Sequence, residues 1–379
     1  MHEWGVQPVT LPGSPATLAA GGPDGPVYAL TGAPAGLRLC ALEPDGAARW
    51  DRRVDGRLGP RVADDGGIWL AGSDFLEETR PAGVPGRRVA LAPRADRRVG
   101  AFVVLPDGFL VAWATDAPPT RAPVCVERLD AYGARRWSTD LPTPDLPRPA
   151  RAFRSSRWES LLVSGDRVLA TFFEALGGLG VSYCVDLDTG HLVWRTEPAP
   201  TGHRAIAGAG RFLLGFQGYG AFTMSLMDPD GATAVTWPSH GRPLVGADGV
   251  IRVVELENTT VSRSRVRLLH PDGTMTDGPV LPGYYTVGPV LATDGRMAFW
   301  RDSRLQSAAP DLTVSTRHTL LDQGGVDAML LLDGGRLAFT LGAKGERQRL
   351  FFADSDLPGP AEGVWTCAEG NLRANPVAR

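Results

Sequence analysis

Short apolar runs meet turns centred on Asp and Gly along the whole chain, and each turn leads into a second apolar run. The turns fall at Asp24-Gly25, Asp65-Gly66, Asp107-Gly108, Gly165-Asp166, Ala209-Gly210, Asp248-Gly249, Asp294-Gly295 and Gly334-Gly335. Neighbouring turns lie about 40–46 residues apart, with one longer interval, which is the period of a four-stranded propeller blade. Runs before the turns include AFVVLPD, SLLVSGD and AMLLLDGG, and runs after them include GIWLAG, GFLVAWA, RVLATFF and GRLAFTL. Apolar runs this short, closed by Asp-Gly turns, predict hairpins of buried strands. No stretch holds a helical period over the roughly ten residues a helix needs.

A second hairpin follows in most repeats: LCALEPDGAARW, VERLDAYGARRW, YCVDLDTGHLVW and LMDPDGATAVTW. Each of these four places a tryptophan after its turn, at Trp50, Trp137, Trp194 and Trp237. A flat ring there is expected to cover the gap between neighbouring sheets. The chain thus reads as all-β, a single eight-bladed β-propeller of four-stranded antiparallel blades spanning residues 1–379. The blades are expected near 16–54, 59–97, 99–141, 158–199, 203–240, 242–283, 286–324 and 326–379. An unpaired sheet edge invites aggregation, so the last blade needs a closing strand. The opening HEWGVQPVTLPG matches the fourth-strand segments LVWRTEPAPTG and RRWSTDLPTP, which predicts closure by the N-terminus with Trp4 in the Trp194 position. GVWTCAEG, around Trp365, is the competing candidate.

Composition narrows the function classes. Net charge is −3, which provides no global field for nucleic acid or anionic membranes. Lys344 is the only lysine, so no other lysine can serve as nucleophile. No basic start with an apolar core resembles a signal peptide, and no run is long enough for a membrane helix; a cytoplasmic monomer is expected. Cys40, Cys125, Cys184 and Cys367 lack metal-type spacing, and the first three share one place in the repeat, as small core residues would. The six histidines show no paired spacing, and the Asp-Gly strings lack the full calcium-loop pattern, so no metal is expected.

LRLCALEPDGAARW (37–50), VCVERLDAYGARRW (124–137) and VSYCVDLDTGHLVWRTEPA (181–199) resemble the repeat of PQQ-like propellers, the family of quinoprotein dehydrogenases and of an outer-membrane assembly lipoprotein. The resemblance extends over the chain at repeat level. It implies that first strands line the central axis. It also implies that inter-blade links and second-to-third strand loops share the face where ligands bind. His203, His240, Arg242, Tyr284 and Tyr285 map to links, and Glu174, Gln217, Tyr219, Glu255, Glu257, Arg301 and Asp302 to second-strand ends. His203 with Glu174 or Glu255 would form an acid–base pair. Gln217, Tyr219, Arg242, Tyr284, Tyr285 and Arg301 are candidate ligand contacts. The insertion 141–158 adds Arg154, Arg157 and Trp158, on a loop placed as a lip or docking patch. The quinone enzymes of the family use an Asp with calcium, and many carry adjacent cysteines; neither set is present here, so no cofactor is expected. The favoured function is non-catalytic binding of a protein or a small polar ligand on the loop face. The alternative is an enzyme whose axial polar ring performs elimination, isomerisation or cyclisation.

Overall fold

The computed structural model describes every residue except 1–2, 93, 95–96, 116–123, 143–149, 153–159, 175–178, 219–220, 259–262, 283–285, 321–324, 343–347, 368–369 and 379; for 16, 150–152, 218, 221, 256–258 and 286–287 it describes the backbone alone. The described residues form the blades of an eight-bladed β-propeller, each built on four antiparallel strands, with two further strands added to the sheet of blade 4 and no α-helix among them. In chain order blades 1 to 7 span residues 14–53, 58–90, 97–140, 161–195, 201–237, 244–282 and 286–319, and blade 8 combines 325–354 with 5–9. Two compact units divide them. Met1–Val54 with Ser239–Ala374 carry blades 1, 6, 7 and 8, and Asp55–Pro238 with Asn375–Arg379 carry blades 2 to 5.

Burial follows strand position. The second strand of blade 3, Gly108–Thr115, is buried along its full length, because apolar sheets pack on both of its faces. The fourth strands Ala48–Arg53 and Arg135–Asp140 alternate exposed and half-buried residues, as edges must to discourage foreign pairing. Period-two alternation lets one strand serve two interfaces. Ala298 and Trp300 of blade 7 join the core of blades 8 and 1, while Met297 and Phe299 join the core shared with blade 6.

Two of the four recurrent tryptophans, Trp137 and Trp194, bridge neighbouring blades in the second unit. Trp137 of blade 3 donates its indole N–H to the Leu187 carbonyl of blade 4 (2.9 Å), and Trp194 of blade 4 donates to Pro229 of blade 5 (3.2 Å). Each ring lies flat on a turn glycine. A Cβ at Gly190 would sit 2.6 Å from Trp137, and one at Gly231 would sit 2.5 Å from Trp194. Both glycines also hold positive φ (+73° and +92°), so backbone and packing demand the same residue.

Gly5–Val9 is the closing strand, antiparallel to Arg349–Asp354. Trp4 does not take the Trp194 position, however. Trp194 faces Cys184, two residues before Asp186, and the equivalent partner Phe352 faces Gln7. Trp4 instead precedes the strand, donates to the Asp356 carboxylate (2.8 Å) and lies beneath the Arg317 guanidinium. The strand pairs three residues further along than the sequence match suggested, because the backbone register follows the hydrogen-bond ladder and not the ring. Trp365 belongs to no blade. It pairs with Val245 in the first strand of blade 6, and Cys367 pairs with Val290 in blade 7. The chain end continues this habit in the second unit: Val377–Ala378 runs parallel to Val163–Ser164, and Asn375 bonds both N–H and C=O of Val104.

Candidate functional site

The first strand of blade 5, Thr201–Gly208, contains His203, which therefore lies within a sheet and not on a link. A register shift between Thr201 and Arg204 accommodates it. Its backbone passes close to Gly215, where a Cβ would meet the His203 carbonyl at 2.8 Å. The next residue, Arg204, is buried, stacks on Phe173 and donates to the Gly202 carbonyl (3.0 Å). Glu174 ends the second strand of blade 4, half-buried. Its carboxylate takes no hydrogen bond from a described residue, so it is not bonded to His203.

Glu255, in the second strand of blade 6, is buried at 3% exposure and fully engaged. One oxygen accepts the Ser239 hydroxyl and the His240 N–H (3.0 Å), and the other pairs with the Arg267 guanidinium. Arg267 in turn binds Asp277 at 2.7 Å. Burial pushes the Glu255 carboxyl above the usual carboxylate range, while Ser239, Arg267 and the His240 N–H pull it back. This arrangement fastens the link entering blade 6 to its sheet. It leaves the carboxylate little capacity to take a substrate proton.

Arg242 on the same link donates to the Asp327 carbonyl (3.1 Å). Arg301 closes the second strand of blade 7, buried at 1% exposure, with its Nε on the Gln306 amide oxygen (3.0 Å). Gln217 is exposed in the second strand of blade 5, its N–H bonded to the Pro200 carbonyl (3.0 Å). Asp302 sits in the turn after Arg301 with φ +48°. Tyr219, Tyr284, Tyr285, Arg154, Arg157 and Trp158 lie outside the described residues, and for Glu257 only the backbone is described. Of the insertion, Ala150–Ala152 is a strand paired with the second strand of blade 4.

Sequence reasoning missed two buried carboxylates with the same fastening role. Glu77 accepts the N–H groups of Asp55 (2.8 Å) and Gly56 (2.5 Å) on the link into blade 2. Glu127 accepts the Trp113 indole N–H (2.5 Å) and pairs with Arg94. Alternation along their strands was the available signal, since each faces inward at an apolar position. Also missed was Arg61 in the first strand of blade 2, whose guanidinium burial lowers to about 9.

A cleft of about 180 Å³ opens between blades 2 and 3, beside the Asp65-Gly66 turn and the turn at Gly108. Trp69 and Phe109, edge to face at 4.7 Å, form its wall. Its polar groups are occupied: Arg87 binds Glu78 (3.3 Å) and the Ala131 carbonyl (3.2 Å), and Asn375 is spent on Val104. None of the candidates read from the sequence lines this cleft. Among the described residues, no three His, Cys, Asp or Glu side chains gather as metal ligands. Nor is any helix there long and apolar enough to cross a membrane.

No protein-family model and no curated protein matches the chain. Among solved structures it is similar to a streptogramin B lyase (14% identity, covering 93% of this chain and 97% of that one, TM-score 0.52). It is also similar to a puromycin hydrolase (14% identity, 87% and 58% covered, TM-score 0.51). A third is an oligogalacturonate lyase from Vibrio parahaemolyticus (10% identity, 92% and 93% covered, TM-score 0.50). At such identities the likeness establishes the β-propeller fold, on which enzymes and scaffolds alike are built.

Proposed function

We propose that the chain is a non-catalytic, PQQ-like recognition propeller. It holds a protein partner or a small polar ligand on the face of the inter-blade links and second-to-third strand loops. The engagement of Glu255 carries this reading. The best acid–base candidate of that face is committed to Ser239, His240 and Arg267, and so serves the scaffold. The PQQ-like assignment is supported by Trp137 and Trp194, whose rings seat on the turn glycines of the following blades. Four buried free cysteines suit a reducing compartment, which supports a cytoplasmic location.

The second reading is acid–base catalysis by His203 and Glu174. It is favoured by a Glu174 carboxylate that carries no hydrogen bond to a described residue. One experiment separates the two. The protein is melted with a panel of small polar metabolites, and those that raise the melting temperature are incubated with it and recovered by mass spectrometry. Binding predicts that they return intact. Conversion that disappears in His203→Ala, with an unchanged melting temperature, would establish the enzyme instead. If no metabolite stabilises the protein and no partner is retained, the recognition reading is lost.

A further inference from the structure

Two buried polar atoms that no described residue bonds face the same interface, between blades 6 and 7. The Nη1 of Arg301 and the Oγ of Ser264 are both shielded from solvent and take no hydrogen bond among the described residues. Ser264, at 0% exposure, lies two residues before Val266 in Arg263–Leu269, and side chains two apart share a face. Arg301 lies two residues beyond Phe299 in Met297–Arg301. Val266, Val254 and Phe299 form one core across the interface, so Ser264 and Arg301 occupy the next level above it. Leu281, opposite Ser264 in the ladder, belongs to that same core. Both residues stand at the loop end of their strands. Ser264 follows the second-to-third loop of blade 6, and Arg301 precedes the corresponding turn of blade 7.

A guanidinium is expensive to bury without a counter-charge, and each unsatisfied buried hydroxyl or N–H adds its own desolvation cost. Arg301 meets only the neutral Gln306 amide by hydrogen bond, and no described carboxylate bonds to it. By contrast, the half-buried Arg267 and the buried Arg128 of this protein each hold two carboxylates. The neighbouring Asp302 carboxylate acts on Arg301 without bonding to it, so an anion in bonding contact would complete its pairing. A carboxylate offers two oxygens in one plane, one for the guanidinium edge and one for a hydroxyl donor. We propose that Arg301 and Ser264 form a binding site for the carboxylate of a small organic acid, entered from the loop face between blades 6 and 7. This deepens the recognition reading by naming the ligand chemistry, and it rests on that reading for the direction of entry. Burial lowers the Arg301 guanidinium from its ordinary value, against the pull of Asp302.

The test is thermal melting of the full chain in sodium acetate, phosphate, sulfate and chloride at constant ionic strength. Acetate is expected to raise the melting temperature with a saturating dependence that chloride lacks. Arg301→Met should abolish the shift, and Ser264→Ala should raise the midpoint about tenfold. If Arg301→Met does not fold, line broadening of ¹³C-acetate by wild type and by Ser264→Ala supplies the same comparison. Equal shifts in all salts mean that water fills the site, and overturn the proposal. A phosphate or sulfate preference over acetate also overturns it. Metabolite stabilisation that survives Arg301→Met discards this site while leaving the recognition reading intact.

Discussion

Glu255 shows what a single buried charge does in this protein. Its carboxylate neutralises Arg267 and satisfies a hydroxyl and a link N–H, so its removal leaves a guanidinium at 16% exposure with Asp277 alone and frees the other two donors. Glu255→Ala should cost about 3 kcal/mol in denaturant unfolding. A ligand-handling role alone would leave the midpoint unmoved. The cysteines offer a second residue-scale check. Burial pushes the Cys184 thiol to about 12 and the Cys40 thiol to about 11, so neither forms thiolate near neutrality. Iodoacetamide at pH 8 should label them only after unfolding, and rapid native labelling would contradict the burial. Acid stability follows from Asp248 and Asp356. Hydrogen bonds from Arg252 hold the Asp248 carboxyl low against opposing burial. At Asp356 burial pushes upward, but Trp4, Arg296 and Arg317 outweigh it and the carboxyl is also held low. Depressed carboxyls stabilise the fold above their ordinary pKa near 4, and that stabilisation fades as pH falls through the folded values. Glu255, pushed upward, has the opposite sign. Melting temperature should therefore decline below about pH 4, and Asp248→Asn should flatten the decline.

Elements are joined by rings and by the chain end. Trp137 on Gly190 and Trp194 on Gly231 link three successive blades of the second unit. Gly190→Ala brings both φ strain and a clash with the Trp137 ring, and should cost about 2 kcal/mol. In the same unit Asn375 replaces a missing strand partner for Val104, with bonds of 3.0 and 2.8 Å. Removing residues 375–379 takes away this clamp and the parallel pairing to Val163 and Ser164. The truncated protein should melt several degrees lower, with hydrogen exchange accelerated at Val104 and Val163. Unaltered exchange at those two amides would show that the tail merely rests there. Which residue would seat the closing strand was not visible in the one-dimensional match. The Trp-containing segments aligned by their rings, whereas Gly5–Val9 pairs by backbone register and places Gln7 at that level.

At the scale of the molecule, the N-terminal strand covers the outer edge of blade 8. Deleting residues 1–11 exposes the Arg349–Asp354 edge, and light scattering should detect concentration-dependent association. Strand identity, turn placement and the count of blades were readable in the amino acids, because they depend on local terms: Asp-Gly turn geometry and apolar runs at a fixed repeat. Sites were not. Glu255, Glu127 and Glu77 look alike as acidic residues in strands, and only the partners brought from distant segments reveal that each is a fastener. Arg301 was legible as a polar strand end, but the unmet guanidinium nitrogen it carries beside the core shared with blade 6 arises from two sheets meeting. Local chemistry is written residue by residue, so the chain alone determined the blades. Pairing, desolvation and unmet hydrogen bonds are properties of what comes together in space, and those the tertiary structure decided.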